Sequence, residues 1–384
     1  MRRLEEYISA GGKRLRCGYT TGTCATAAAR AAAEFLLAGE LVPSVSVHTP
    51  AGIDVLVDVE DAQTREDWAC CSVRKDAGDD PDVTDGVLVY ACVRCSDEPG
   101  CRICGGEGVG RVTRAGLDQP VGEAAINSIP RRMIVQTVQA CAESHGYTGG
   151  LVVEISIPAG VELARRTFNP RLGIEGGLSV LGTSGIVRPM SEEALISSIQ
   201  LELRVLHASG VADALVAPGN YGRDFAAAEL GLDVERMVLC SNYLGAAIDE
   251  AALVGFGSLL VIGHAGKLVK VAAGVMNTHS RVADCRVEVL AAHAAWAGAS
   301  SGLVDRIMDA PTTDAIIDLL QGEGLVEPVM ASVMTRMGEH LAHRASGRLQ
   351  VEAVMFSNQH GLLGMTAGAE RLLERHRLGE GEDR

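Results

Sequence analysis

The pattern of apolar and polar positions divides the chain into two halves of different character. In the first half, Ile53, Val55, Val57 and Val59 alternate with Asp54, Leu56 and Asp58, a period-two pattern that predicts a half-buried strand. The turn at 49–52 would fold it back on a partner at 45–48. Apolar runs at 69–74, 87–93 and 151–157 predict further strands. Helices are fewer: one from about 24 to 38, with Thr23 as N-cap and Gly39 at its end, and one at 130–144. This half reads as α+β.

Near Ser191 the pattern changes. "SEEALISSIQLELRVLHASG" has a serine cap, acids in its first turn and a terminal glycine, which predicts a long helix. Short apolar runs at 214–217, 237–240, 258–262 and 349–356 then alternate with helical stretches. That alternation predicts an open, mostly parallel α/β sheet covered on both faces. The expected organisation is an α+β domain at 1–190, a parallel α/β domain at 191–372 and a flexible charged tail at 373–384.

At 384 residues the chain exceeds the usual size of a single core, in keeping with two domains. Aromatic residues make up only 3%, so stacking on nucleic-acid bases is not an expected mode, and a net charge of −15 lacks the basic face that a phosphate backbone needs. No apolar run reaches the ~18 residues of a membrane span, and "MRRLEEYISAGGKR" has no signal-peptide core. The expected location is the cytoplasm, and the oligomeric state is left open, a homo-oligomer included. In that setting the 11 cysteines read as reduced thiols, metal ligands or small buried hydrophobes rather than a disulfide framework.

Candidate chemistry gathers in a few segments. In open parallel sheets, ligands sit beyond the carboxyl ends of the strands. Here those ends carry "APGNYG", "CSNYLG", "GHAGK" and "SNQHG", which would bring Asn220, Asn242, His264, Lys267 and His360 to one cleft. "GHAGKLVK" is not a Walker loop, because Val261 stands where the first glycine should be and Leu268 replaces the magnesium-binding Ser or Thr. "GYTTGTCATAAAR" places Thr20, Thr21, Gly22 and Thr23 at a helix mouth, where free N–H groups could hold an anion or a polar cofactor edge; an ordinary helix cap is the bland alternative. "GGEGVG" misses the dinucleotide spacing, and its Gly106 and Gly108 suit a bend that exposes backbone to a ligand or another strand.

The acidic run "RKDAGDDPDVTDG" could bind a cation or raise a carboxyl pKa by repulsion, although it lacks the EF-hand spacing; a polar surface turn is its alternative. "CVRCSDEPGCRIC" sets Cys92, Cys95, Cys101 and Cys104 as two chelating pairs at an expected hairpin tip, able to hold structural zinc or an iron–sulfur cluster, or else to remain free thiols.

The blocks "GYTTGTCATAAARAA", "VRKDAGDDPDVTDG", "GGEGVGRVTRAGL", "VGEAAINSIPRRMI", "TFNPRLGIEGGLSVLGTSGIVRPMSEEAL", "PGNYG", "SNYLG" and "GHAGKLVKVAAGVMNTHSRVADCR" occur in this order along the chain. In this the sequence resembles the cobalt-precorrin-5B C-1 methyltransferases of anaerobic cobalamin biosynthesis, from about residue 15 to beyond 286. The resemblance implies methyl transfer from S-adenosylmethionine to a corrin-ring carbon. On that reading, Thr20, Thr21, Gly22, Thr23, Gly106 and Gly108 are candidates for the donor, with a corrinoid carboxylate as the alternative occupant of the helix mouth at Thr20 to Thr23. Asp79, Asp80 and Asp82 are candidates for proton handling or for contact with the donor's positive sulfonium or amine, with Asp82 first because Pro81 stiffens the backbone before it. The corrinoid carries many carboxylates, so bases must line the cleft. Arg171, Arg188, Asn220, His264, Lys267 and Lys270 are the substrate candidates, with Arg131, Arg132, Arg165 and Arg166 nearby in the matching blocks. The four-cysteine array departs from the family pattern, and a metal there would be a structural addition outside the reaction. Two other classes stay open: a corrinoid carrier without catalysis, and a cysteine-ligated metal-binding module.

Overall fold

Alanine brings the first helix down onto its sheet. α1 (Thr21–Ala38) buries Ala25, Ala27, Ala28, Ala29 and Ala31 to Ala33, whose lone methyl groups allow the helix axis to approach neighbouring backbone closely. The structure, a computed structural model, describes residues 3–377 and divides into two compact units, Met1–Glu192 and Glu193–Arg384.

In the first unit a hairpin of β1 (Tyr7–Ala10) and β2 (Lys13–Arg16) leads through β3 (Gly18–Tyr19) into α1. Then follow β4 (Ser44–His48), β5 (Asp54–Thr64), β6 (Trp68–Arg74), β7 (Leu88–Ser96), β8 (Cys101–Gly105), β9 (Arg111–Val112), α2 (Ser128–Ser144) and β10 (Gly150–Ser156). The expected β4–β5 hairpin forms, with Val45 opposite Val57 and Val47 opposite Val55, all buried beneath α1. The main sheet has the order β4-β5-β6-β7-β10-β8. Short pieces complete the unit: α3 (Gly160–Leu163), β11 (Ile174–Glu175), which pairs with β9, and β12 (Ile186–Val187), which pairs with β3.

One pairing differs from expectation. β7 and β8 are not hairpin neighbours, because β10 lies between them, antiparallel to β7 and parallel to β8. The connection crosses the start of β10 at Gly150, where a Cβ would stand 1.6 Å from the Glu98 carbonyl oxygen, so only glycine admits the crossing.

The second unit opens on α4 (Glu192–Ala208), as the capped pattern predicts, and continues through β13 (Asp213–Ala217), α5 (Asn220–Ala228), β14 (Val238–Leu239), α6 (Leu244–Val254), β15 (Ser258–His264) and α7 (Ala265–Leu268). α8 (Arg286–Trp296), α9 (Ser301–Met308), α10 (Thr313–Gly322) and α11 (Val326–Ala345) precede β16 (Gln350–Ser357), β17 (Gly361–Met365) and α12 (Ala369–His376). The sheet order is β14-β13-β15-β16-β17; the first four strands are parallel, and β17 is an antiparallel edge that the sequence pattern does not predict. One face packs on α4, α6 and α8 to α11. The other packs on α5 and α12, with Phe225 stacked on Phe356 at 4.0 Å between centroids. The expected tail at 373–384 is corrected in part: Leu373 is buried and the helix runs to His376, while residues 378–384 lie outside the described residues.

Candidate functional site at the carboxyl edge of the parallel sheet

The strand order of the second unit reverses direction between β13 and β15, and a crevice at the carboxyl ends of two such strands is where open α/β sheets take ligands. Lys267 occupies that point. Its Nζ donates to the Pro218 carbonyl after β13 at 3.0 Å and reaches the Ser241 carbonyl after β14 at 3.4 Å. Three of the four loops expected to converge are thus tied by one ammonium. The side chain is half-buried, and burial pushes its pKa down.

His264 ends β15. Its Nδ1 accepts from the Gly266 N–H at 3.1 Å and so caps α7, and its ring stands edge-on to Phe356 at 5.6 Å. Burial lowers its pKa and Asp314 opposes the shift. The fourth loop joins through the same acid, since Ser357 Oγ donates to Asp314 Oδ1 at 2.6 Å and accepts from the Gln359 and His360 N–H groups. Asn220 opens α5 and is exposed, whereas the Asn242 carbonyl takes the Thr278 N–H. Ser241 adopts φ 53°, a left-handed conformation uncommon for a residue with a Cβ. A cleft of about 830 Å³ lies between α10, α11 and β17, with Gln359, His360 and Met334 in its wall.

Lys270 does not belong with Lys267. It is 2% exposed, and its Nζ donates to the Thr278 carbonyl at 3.0 Å with Asp284 Oδ1 at 3.9 Å, so it cannot overhang the cleft as expected. Lys267 lies in α7 itself, whereas Lys270 lies in the 3-10 turn at Val269–Ala273 that follows it.

In the first unit the helix mouth is closed by the chain itself. Thr20, not Thr23, is the N-cap of α1, and its Oγ1 accepts from the Thr23 N–H at 3.2 Å. The Gly22 N–H donates to the Leu181 carbonyl, and the Thr21 and Thr23 hydroxyls donate to the carbonyls of Ser179 and Gly185. The strap 179–185 therefore takes the groups that were expected to hold a cofactor. Gly106 and Gly108 likewise serve close packing. Gly108 has φ 71°, and a Cβ there would stand 1.8 Å from the Ile157 carbonyl oxygen; one on Gly106 would stand 2.3 Å from Ser156 Oγ.

The acidic loop is a set of internal ties. Asp76 makes a two-point contact with Arg16 at 2.5 and 2.7 Å, Asp79 takes the Arg16 N–H at 2.6 Å, and Asp80 takes the Met190 N–H at 3.1 Å. Asp82 accepts from Lys75 Nζ at 2.6 Å and from both donors of Thr84. Burial works to raise the pKa of Asp82, but Lys75 and Thr84 outweigh it and hold the carboxyl below its ordinary value. Such an anion is a weak proton acceptor, which counts against Asp82 as a general base. Among the arginines, Arg165, Arg166, Arg132 and Arg188 are exposed and Arg171 is half-buried, while Arg131 is engaged by the Ile126 carbonyl at 2.8 Å.

The four-cysteine array does not assemble. Cys95 and Cys101 face Leu151 from opposite sides in the sheet register, and Cys92 and Cys104 likewise flank Glu154, so the pairs are two strand spacings apart, on the order of 9–10 Å. Cys92 is instead in a disulfide with Cys70 on β6, a pairing that the reading of the cysteines as thiols did not anticipate. A different cluster, Glu34, Cys141 and His145, brings three ligand atoms within 4.8 Å of one another. Its sequence signal is a Cys-x3-His spacing on a helix, which the more conspicuous cysteine pairs obscure.

The family model described as CbiD matches residues 8–189, and that described as CbiD, C-terminal domain, matches residues 277–367. The cobalt-precorrin-5B C(1)-methyltransferase of Ruminiclostridium cellulolyticum is 50% identical over 92% of this chain and 92% of its own. That of Alkaliphilus metalliredigens is 44% identical over 97% of each. A crystal structure of a cobalamin biosynthesis protein from Archaeoglobus fulgidus matches at 27% identity over 83% of this chain and 88% of that one, with a TM-score of 0.39. Among the described residues no helix is long and apolar enough to cross a membrane. With both family models matched in order and relatives alike over nearly their whole length, the chain belongs to the CbiD family.

Proposed function

We propose that this chain transfers a methyl group from S-adenosylmethionine to ring carbon C-1 of cobalt-precorrin-5B, giving cobalt-precorrin-6A and S-adenosylhomocysteine, as a cytoplasmic enzyme of anaerobic cobalamin biosynthesis. The observation that carries the reading is the 50% identity, over 92% of both chains, with a relative of that name. The chemistry suits the site. A ring carbon attacks the methyl group in line, a carbon–carbon bond forms and the sulfur–methyl bond breaks, so the protein mainly aligns two ligands and excludes water. No thiolate is needed, in keeping with Cys24 and Cys240, whose burial pushes their thiols up to about 12.

In this reading the two units work as domains, 1–190 and 191–372. The carboxyl edge of the second, with Asn220, His264 and Lys267, is a ligand site. Lys267 fits a carboxylate, which both the methyl donor and the macrocycle carry. Arg171 and Arg188 are candidates for further corrinoid carboxylates, and the acidic loop with Asp79, Asp80 and Asp82 acts through the geometry it imposes. The test is anaerobic incubation of the full chain with both substrates, followed by mass spectrometry. A gain of one methyl group is expected, and its absence with intact substrate would refute the assignment. Calorimetry with S-adenosylhomocysteine separates an enzyme from a corrinoid carrier, which would not bind it.

A further inference from the structure

α1 and α2 lie side by side and run in the same direction. Gly22 of α1 packs on Pro130 of α2 at their amino ends, where a Cβ on Gly22 would stand 2.7 Å from the proline ring. At their carboxyl ends His145 Nε2 lies 2.8 Å from Glu34 Oε2. Parallel packing has an electrostatic consequence: two helix carboxyl termini, each bearing partial negative charge, meet at one place. Glu34 stands in the last turns of α1, Cys141 in the last turn of α2, and His145 caps α2. Cys141 and His145 are four residues apart, one helical turn, and so project from the same face of α2 towards Glu34.

We propose that Glu34, Cys141 and His145 form a binding site for a zinc-class divalent cation, with one thiolate, one imidazole and one carboxylate as protein ligands and water completing the shell. The ligand atoms already lie within 4.8 Å of one another. Tetrahedral zinc holds such atoms at about 2.0–2.3 Å from the metal, on the order of 3.5 Å apart, so rotamer-scale adjustments close the site. The burial is graded. Cys141 is 4% exposed, whereas the His145 and Glu34 side chains keep 29% and 23% of their surface, which leaves a side open to solvent. Arg30, the nearby cation on α1, is held by the Ser46 carbonyl at 2.6 Å. On binding, the Cys141 sulfur gives its proton to solvent and forms the sulfur–metal bond, with no change of oxidation state. The cation ties the ends of the two helices that cover the sheet. The mixed S, N, O donor set selects zinc over magnesium or calcium, which take oxygen ligands.

Titration of the full chain with Co2+ is the test, because a thiolate ligand gives a sulfur-to-cobalt charge-transfer band. One equivalent should bind, show that band and be displaced by Zn2+. Cys141→Ser should lose the band. His145→Asn, at a partly exposed position that leaves the core intact, should weaken cobalt binding by at least about tenfold. A triple variant, C95S/C101S/C104S, should load as the unaltered chain does. The proposal is overturned if the unaltered chain takes up no cobalt, if His145→Asn binds with unchanged affinity, or if the band vanishes in the triple variant and persists in Cys141→Ser.

Discussion

Lys75 Nζ donates to Asp82 Oδ2 at 2.6 Å, and of the two side chains only that of Asp82 reaches solvent appreciably, 25% against 2%. The pair is therefore asymmetric. Asp82→Asn strands a buried ammonium, for which losses of about 3–5 kcal/mol are typical, whereas Lys75→Met leaves a carboxylate that still accepts from Thr84 and water and should cost less. Urea denaturation of both variants checks the order. Turnover of folded Asp82→Asn, corrected for the unfolded fraction, should stay within about tenfold of the unaltered chain; a loss of a hundredfold or more without loss of stability would return Asp82 to proton transfer.

The same loop sets an acid limit. Burial pushes the pKa of Asp76 up, but Arg16 and the Gly78 N–H outweigh it; with Lys75 and Thr84 doing the same at Asp82, both carboxyls are held below their ordinary value. A group whose pKa is lower folded than unfolded contributes stability that is complete above the unfolded value and is lost as pH falls through the folded one. The contribution of both aspartates should therefore be flat at neutral pH and decline below about pH 4, near the unperturbed aspartate value. Asp82→Asn should make that decline shallower in urea midpoints measured from pH 7 to pH 3.

Gly108→Ala puts a methyl group 1.8 Å from the Ile157 carbonyl oxygen at a φ of 71°. The backbone conformation alone costs of order 1–2 kcal/mol for a residue with a Cβ, and the clash adds to it, so a loss of at least about 2 kcal/mol is expected in denaturant unfolding. A stability within 0.5 kcal/mol of the parent, the range of an ordinary surface change at about ±0.5 kcal/mol, would mean the loop is open and available to a ligand.

The two lysines after β15 should separate experimentally. Lys270→Met leaves the buried Thr278 carbonyl without its donor and should cost about 1–3 kcal/mol of stability. Lys267→Ala should instead weaken corrinoid binding several-fold at low salt, and less at high salt, because a half-exposed charge is screened. Equal binding of the Lys267→Ala variant at low salt removes that residue from the site.

Ser241→Gly relaxes a left-handed serine at the carboxyl edge. Stability should rise by a few tenths to about 1 kcal/mol from the relieved backbone, offset in part by the greater freedom of glycine in the unfolded chain. Calorimetric binding of S-adenosylhomocysteine should weaken if that conformation presents the loop to a ligand, and an unchanged affinity would confine Ser241 to turn geometry.

Local order was legible from residues alone. The alternation from Ile53 to Val59 determined a strand with one buried face, the alanines after Cys24 determined a helix that packs closely, and the serine-capped run after Ser191 determined α4, because a side chain's period relative to its own backbone needs no knowledge of distant chain. The ordered blocks from "GYTTGTC" to "THSRVADCR" likewise identified the family. What the sequence left undecided concerns groups far apart along the chain. Threonines that look free at a helix mouth are taken by carbonyls about 160 residues later, four cysteines that look like a chelating hairpin are parted by β10, and Lys267 and Lys270, three residues apart, differ in burial and in the carbonyls the fold offers each. Glu34 meets Cys141 and His145 only because α1 and α2 pack in the same direction. Hydrogen-bond capacity and ligand chemistry are written in the residue types, but the partner is set by which distant backbone the close packing of the core brings within 3 Å, and that only the tertiary structure decided.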